Sequence, residues 1–159
     1  MTARRGGTAT GRWREQTGAV AGVEAIAFGV LIFVLGTLVV ANVWAAIDGR
    51  GAADGAARAA VRDVVRAEPG ADLQRIARQA ATAGLVAHGV DPQRLRSVAV
   101  DGTLVRCGVV SVTVAHEVPL AIVPPLGANR PSITVRSTHA AVVDPYRSGL
   151  PATPGVPCD

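Results

Sequence analysis

AIAFGVLIFVLGTLVVANVWAAI, residues 25–47, decides how the rest of this chain is read. The run holds no charged residue. At about 1.5 Å of rise per residue, a helix of that length extends roughly 34 Å, enough to cross a hydrocarbon core of about 30 Å. Buried helices of soluble domains seldom run so long without a polar face, so the segment is predicted to span a membrane once. Glu24 stands directly at its N-terminal edge. A carboxylate there is costly unless it stays at the interface or meets a cation, which makes Glu24 the acidic residue that most needs a functional explanation. A cleaved secretory signal competes for the same run. Ala41, Ala45 and Ala46 would suit a signal peptidase, although the run exceeds the usual apolar region of about 7–15 residues.

The flanks orient the helix. Arg4, Arg5, Arg12 and Arg14 precede it, against Glu15 and Glu24, whereas acids and arginines are mixed after Asp48. Arginines close to a membrane favour the cytoplasmic side, so the N-terminus is expected in the cytoplasm and everything after residue 47 outside the cell membrane. Cys107 and Cys158, the two cysteines of the chain, then share an oxidising compartment. Either they are bridged, or Cys107 is a free thiol in the core.

With 159 residues, the chain has room for one anchor and one domain of about 100 residues. All 16 basic residues are arginine and the net charge is +4, a bias read as that of a GC-rich genome. Nucleic acid is not an expected partner, because the few aromatics are scattered or lie in the apolar run and accompany no basic face.

Residues 1–18 form a predicted cytoplasmic leader without apolar periodicity, and residues 19–47 the transmembrane helix. Gly22, Gly29 and Gly36 recur every seven residues. They either form a stripe along which another helix packs, or are the ordinary glycines of membrane helices. Beyond residue 47 the helical period continues, with Ala53, Ala56, Ala57, Ala60 and Val64 on one face and Asp54, Arg58, Arg62 and Arg66 on another. Gly49, Gly51 and Gly55 mark either a hinge or a site of close helix packing, and Glu68-Pro69-Gly70 ends the helix. A second helix is predicted from an Asp72 cap to His88-Gly89.

The period then changes from helical to alternating, and strands are predicted over 96–100, 104–118 and 133–143. Asp101-Gly102 is read as a tight hairpin turn between the first two. The fold class expected for residues 48–143 is therefore α+β, a small antiparallel sheet with a helix over one side. The apolar connection 120–131 either packs on the sheet or meets a membrane or a partner. Residues 144–159 are expected to be an irregular tail.

Chemistry is sparse. His88, His116 and His139 show no metal-ligand spacing, and His116 and His139 are read as surface or hydrogen-bonded side chains of strands. No nucleophile elbow, P-loop, HExxH or CxxC occurs, so no catalytic residues, cofactor or metal are expected and the chain is not read as an enzyme.

The Arg-bearing leader, Gly18, Glu24 before a long apolar helix, the Ala-rich continuation and a strand-rich end closing on VDPYRSGLP (143–151) together resemble one family. The chain looks like the TadE/TadG-like proteins, pilin-related components of the tight-adherence (Flp) pilus machinery, in the form of GC-rich Gram-positive bacteria. The resemblance spans nearly the whole sequence. It implies a pseudopilin whose leader a prepilin peptidase removes between Gly18 and Ala19, and whose Glu24 pairs with a neighbouring subunit's amino terminus during assembly. Partners implied are other pilin-like subunits, platform proteins of the assembly machinery, and membrane lipid. Glu24 is the sixth residue counted from Ala19, one beyond the family's usual position, and Val30 stands about where the family often has Pro. The alternative reading is a membrane-tethered extracytoplasmic binding module.

Overall fold

The computed structural model describes residues 16–121 and 131–152. Its elements are α1 (Gln16–Arg66), α2 (Leu73–Ala87), a one-turn 3-10 helix (Pro92–Arg94), β1 (Leu95–Asp101), β2 (Val109–Pro119) and β3 (Ser132–Val142). The class is α+β: a long N-terminal apolar helix, a second helix, and a three-stranded antiparallel sheet of order β1-β2-β3. Two compact units divide the chain, Met1–Val40 and Ala41–Asp159. In the first, α1 already includes residues 16–18, which the sequence had placed in the leader.

The second unit is built on alanines. Ala52, Ala56, Ala57, Ala60, Val61 and Val64 of α1 are buried together with Ala77, Ala80, Ala81 and Leu85 of α2 and Val98, Val110, Val112 and Val114 of the sheet. Side chains this small let backbones approach closely, so the glycines matter where they meet another element. A Cβ on Gly84 would lie 2.8 Å from the Ala56 Cα, and one on Gly49 or Gly55 would collide with Val118 or His88. Of the α1 glycines, Gly49 is approached by a strand side chain and Gly55 by the His88 ring beyond the end of α2, rather than by another helix, while Gly51 faces open space.

Alternation along β2 sends Val110, Val112, Val114, His116 and Val118 toward the helices, where all are buried. Ser111 and Thr113 take the opposite face, and Thr113 Oγ1 lies 2.8 Å from Thr138 Oγ1 on β3. α2 is capped by Asp72, whose carboxylate accepts from the Arg75 N–H at 3.0 Å, and after its His88 C-cap the chain turns at Gly89, φ 72°. The end of α1 is capped from a distant segment. Asp144 accepts from the Tyr146 N–H at 2.8 Å, and the resulting turn delivers the Arg147 guanidinium to the carbonyls of Val65, Arg66 and Ala67. A cation on the free carbonyls of a helix C-terminus satisfies acceptors and opposes the macrodipole. Residues 144–152 form no helix or named strand, yet Leu150 is buried and Arg106 bridges to Ala152.

The Asp101-Gly102 hairpin is not formed. β2 begins at Val109 rather than at residue 104, and a loop separates it from β1. Gly102 does take a positive φ, 101°, but residues 103–108 are drawn off to the C-terminal segment. The Arg106 N–H donates to the Pro151 carbonyl, the Cys107 N–H donates to the Val143 carbonyl, and Cys107 is disulfide-bonded. Cys158 lies outside the described residues, as does most of the apolar connection, residues 122–130.

Candidate functional site

In the first unit, α1 from residue 25 to residue 40 presents a surface without a charged side chain, and the hydroxyl of its one polar side chain, Thr37, donates to the Phe33 carbonyl at 2.8 Å. Ile26, Phe28, Leu31, Ile32, Phe33 and Leu35 are all exposed, Phe33 by 74%. Surface of this kind is stable only when something apolar covers it. By length and composition the helix can cross a membrane. Glu24 is exposed and makes no ion pair among the described residues. Nothing lies within 4 Å of a Cβ built on Gly22, Gly29 or Gly36, so the glycine stripe is free along its length. Gly18 and Ala19, the expected processing position, fall inside α1.

Where the apolar run enters the second unit, Asn42 meets the end of β2. Its Nδ2 donates to the Ala121 carbonyl at 3.2 Å, and its Oδ1 accepts from the Ala121 N–H at 2.7 Å. Leu120 N–H donates to the Pro131 carbonyl at 2.9 Å, so both ends of the 122–130 connection start from this clamp. Asn42 had drawn no attention in the sequence. An amide within an apolar run is itself the signal, because such a group needs a partner wherever water is excluded.

Farther along α1, a polar cluster joins the helix to β3. Asp54 pairs with Arg58 one turn on, at 2.8 Å, accepts from Ser137 Oγ at 3.2 Å, and is in short contact with His139 Nε2. Arg58 Nε also lies 3.3 Å from that ring nitrogen. A nitrogen donating its proton to a carboxylate has no lone pair left to accept with, so we assign Nε2–H to Asp54 and the Arg58 contribution to its ion pair. The His139 bond, followed by Ser137 and the charge of Arg58, holds the Asp54 carboxyl below the usual range against partial desolvation. This stabilisation is present above the unfolded carboxyl value, near 4, and is lost as pH falls through the lower folded value. Ser137 donates to Asp54 and not to the imidazole, so the arrangement clasps a helix to a strand rather than activating a hydroxyl.

His116 departs from the sequence expectation. It is 1% exposed and its Nδ1 has no hydrogen-bond partner. The cause is the alternation of β2, which turns residue 116 inward, where it lines a 210 Å³ cleft with Asp48, Gly49, His88 and Arg94 among others. Burial pushes the imidazole below its ordinary value, and the positive charge of Arg94 adds to that. The unfolded chain therefore binds a proton that the native state resists. Stability contributed at this site is full above about pH 6.5 and declines as pH falls below it. His116→Phe is expected to remove this component and, by eliminating an unsatisfied buried nitrogen, to stabilise the fold at pH 5 by about 1 kcal/mol relative to wild type. Urea unfolding at pH 7.5 and at pH 5 checks it; parallel losses in both proteins would show that His116 is not the group responsible.

A larger cleft, about 610 Å³, lies between residues 43–50 of α1 and residues 133–136 of β3. Val43, Ala46, Ile47, Ile133 and Val135 form its apolar walls, and Arg50 and Arg136 also line it. A smaller cleft beside it is shared by Arg50, Gly51, Asp54, Arg136 and Ser137. Among the described residues, no group of three or more His, Cys, Asp or Glu side chains could hold a metal ion. Comparison of the chain with protein-family models, with curated proteins and with solved structures finds no match.

Proposed function

We propose that the chain is a single-pass, pilin-like structural subunit of a tight-adherence (Flp) type pilus or a related secretion apparatus, with its N-terminus in the cytoplasm and its α+β unit outside the cell. The observation that carries this reading is α1. One helix supplies an exposed apolar surface and then, with Ala52, Ala56, Ala60 and Val64, the buried stripe of a small sheet-bearing unit. A helix that serves only to anchor needs apolar length and nothing more. Here the apolar part also carries Glu24 at its edge and an open line of Gly22, Gly29 and Gly36, features suited to packing against the helices of other subunits. A prepilin peptidase acting between Gly18 and Ala19 would leave a new ammonium group near that carboxylate. The second reading, a tethered binding module, draws on the 610 Å³ cleft.

Substitution Glu24→Ala separates the two. Removing a charge eases insertion, so the variant should remain in the membrane fraction. As a pilin-like subunit it should no longer co-purify with partner subunits, because a neighbour's ammonium would be left without its counter-ion in a poorly solvated site. Wild-type recovery of the complex from the Ala variant would reduce Glu24 to an interfacial residue and move the binding module ahead.

A further inference from the structure

We infer that the cleft between residues 43–50 of α1 and the start of β3 is a binding site for an anionic phospholipid, drawn from the leaflet in which the apolar run ends. The inference rests on the membrane-spanning part of the function proposed above. Three observations on the second unit meet here. The cleft walls are aliphatic, with Val43 and Ile47 more than half exposed, so an acyl chain would cover surface that water leaves unfavourable. Its lining includes two arginines, Arg50 and Arg136, and no carboxylate. Neither arginine makes an ion pair among the described residues, although Arg58 and Arg96 each hold an acid within 2.8 Å. Asp54, which shares the adjoining cleft with both, is held by Arg58 and His139, so two guanidiniums outside any ion pair among the described residues stand beside an apolar wall, complementary to a phosphodiester above its acyl chains, since guanidinium offers paired donors to phosphate oxygens.

Position supports the same occupant. The cleft begins at Val43 and reaches Arg50, bracketing residue 47, where the charge-free run stops. Trp44, 72% exposed, stands in the same turns of helix. Tryptophan and arginine at the end of an apolar helix are the side chains that settle at headgroup depth. A zwitterionic lipid would bring its own cation toward Arg50 and Arg136, whereas phosphatidylglycerol brings only the phosphate charge. Each arginine near an anionic membrane favours the charged lipid by roughly fivefold, and the pair by about 30-fold.

The test uses the full chain in nanodiscs of mixed phosphatidylcholine and phosphatidylglycerol, in a Trp13→Phe background so that Trp44 reports alone. Bromine is placed on the acyl chains of one lipid or the other, and quenching of Trp44 yields the relative association constant. The expected result is a preference for phosphatidylglycerol on the order of 30-fold that falls to near unity in Arg50→Gln/Arg136→Gln, is reduced but retained in Arg50→Lys/Arg136→Lys, which keeps the charge and loses the paired donors, and weakens with salt. Far-UV circular dichroism and the thermal midpoint confirm that each variant is folded. A wild-type ratio near one, or a preference unchanged in the double Gln variant, overturns the inference. So does an unquenched Trp44 with efficient cross-linking between copies through a cysteine placed at Ile133, which would assign the cleft to a second copy. A chain that alkaline washing strips from the bilayer would instead sink the membrane-spanning reading itself.

Discussion

Cys107→Ser is expected to destabilise the folded unit by about 4 kcal/mol. Cys107 is disulfide-bonded, and Cys158 is the other cysteine of the sequence. A bridge between them closes a loop of about 50 residues, and in the chain-entropy description that loop restricts the unfolded state by the stated amount. The loss is large for a unit of this size, whose total stability is on the order of 5–15 kcal/mol. A second substitution isolates a different contribution. Cys107 holds φ at 63°, a conformation that costs a non-glycine residue roughly 1 kcal/mol or more. Cys107→Gly should therefore lose the bridge but recover part of that cost, and sit above Cys107→Ser by about 1 kcal/mol. Chemical denaturation of the chain in detergent, followed by circular dichroism, measures both. Intact mass after alkylation without reductant decides the pairing, and two alkylated thiols would exclude it.

Gly84→Ala is expected to cost about 1–3 kcal/mol, although alanine is the better helix former by nearly 1 kcal/mol. The new methyl would meet the Ala56 Cα at 2.8 Å. That atom is backbone and cannot rotate away, so α1 and α2 must separate and loosen the alanine layer between them. Gly51→Ala, also in a helix but facing open space, is expected to stabilise by up to about 1 kcal/mol. Opposite signs for one chemical change come from context alone. Should Gly84→Ala prove neutral in the same denaturation experiment, the close approach of the two helices would be wrong.

The apolar run, the switch from helical to alternating period near residue 95, the Asp72 cap and the Glu68-Pro69-Gly70 stop were legible because each is a local property, set by spacing and backbone chemistry within a few residues. α2 accordingly lies within a residue of its expected limits, and β3 within one residue at each end. Asp101-Gly102 was equally local and misled. The turn it favours competes with contacts from residues 143, 151 and 152, and those held Arg106 and Cys107 away from a hairpin.

What sequence alone determined here is the kind of molecule: an apolar helix long enough to span a bilayer, followed by a small α+β unit. Tertiary structure decided which side chains do something in that unit. Asp54 meets His139 across 85 residues, Arg147 caps α1 across about 80, and Arg50 shares a cleft with Arg136. Nothing in the spacing of such pairs announces them, because contacts between distant segments follow from how an alanine stripe seats against a sheet. The same seating turned His116 inward: alternation names two faces of a strand, and only packing says which one is covered.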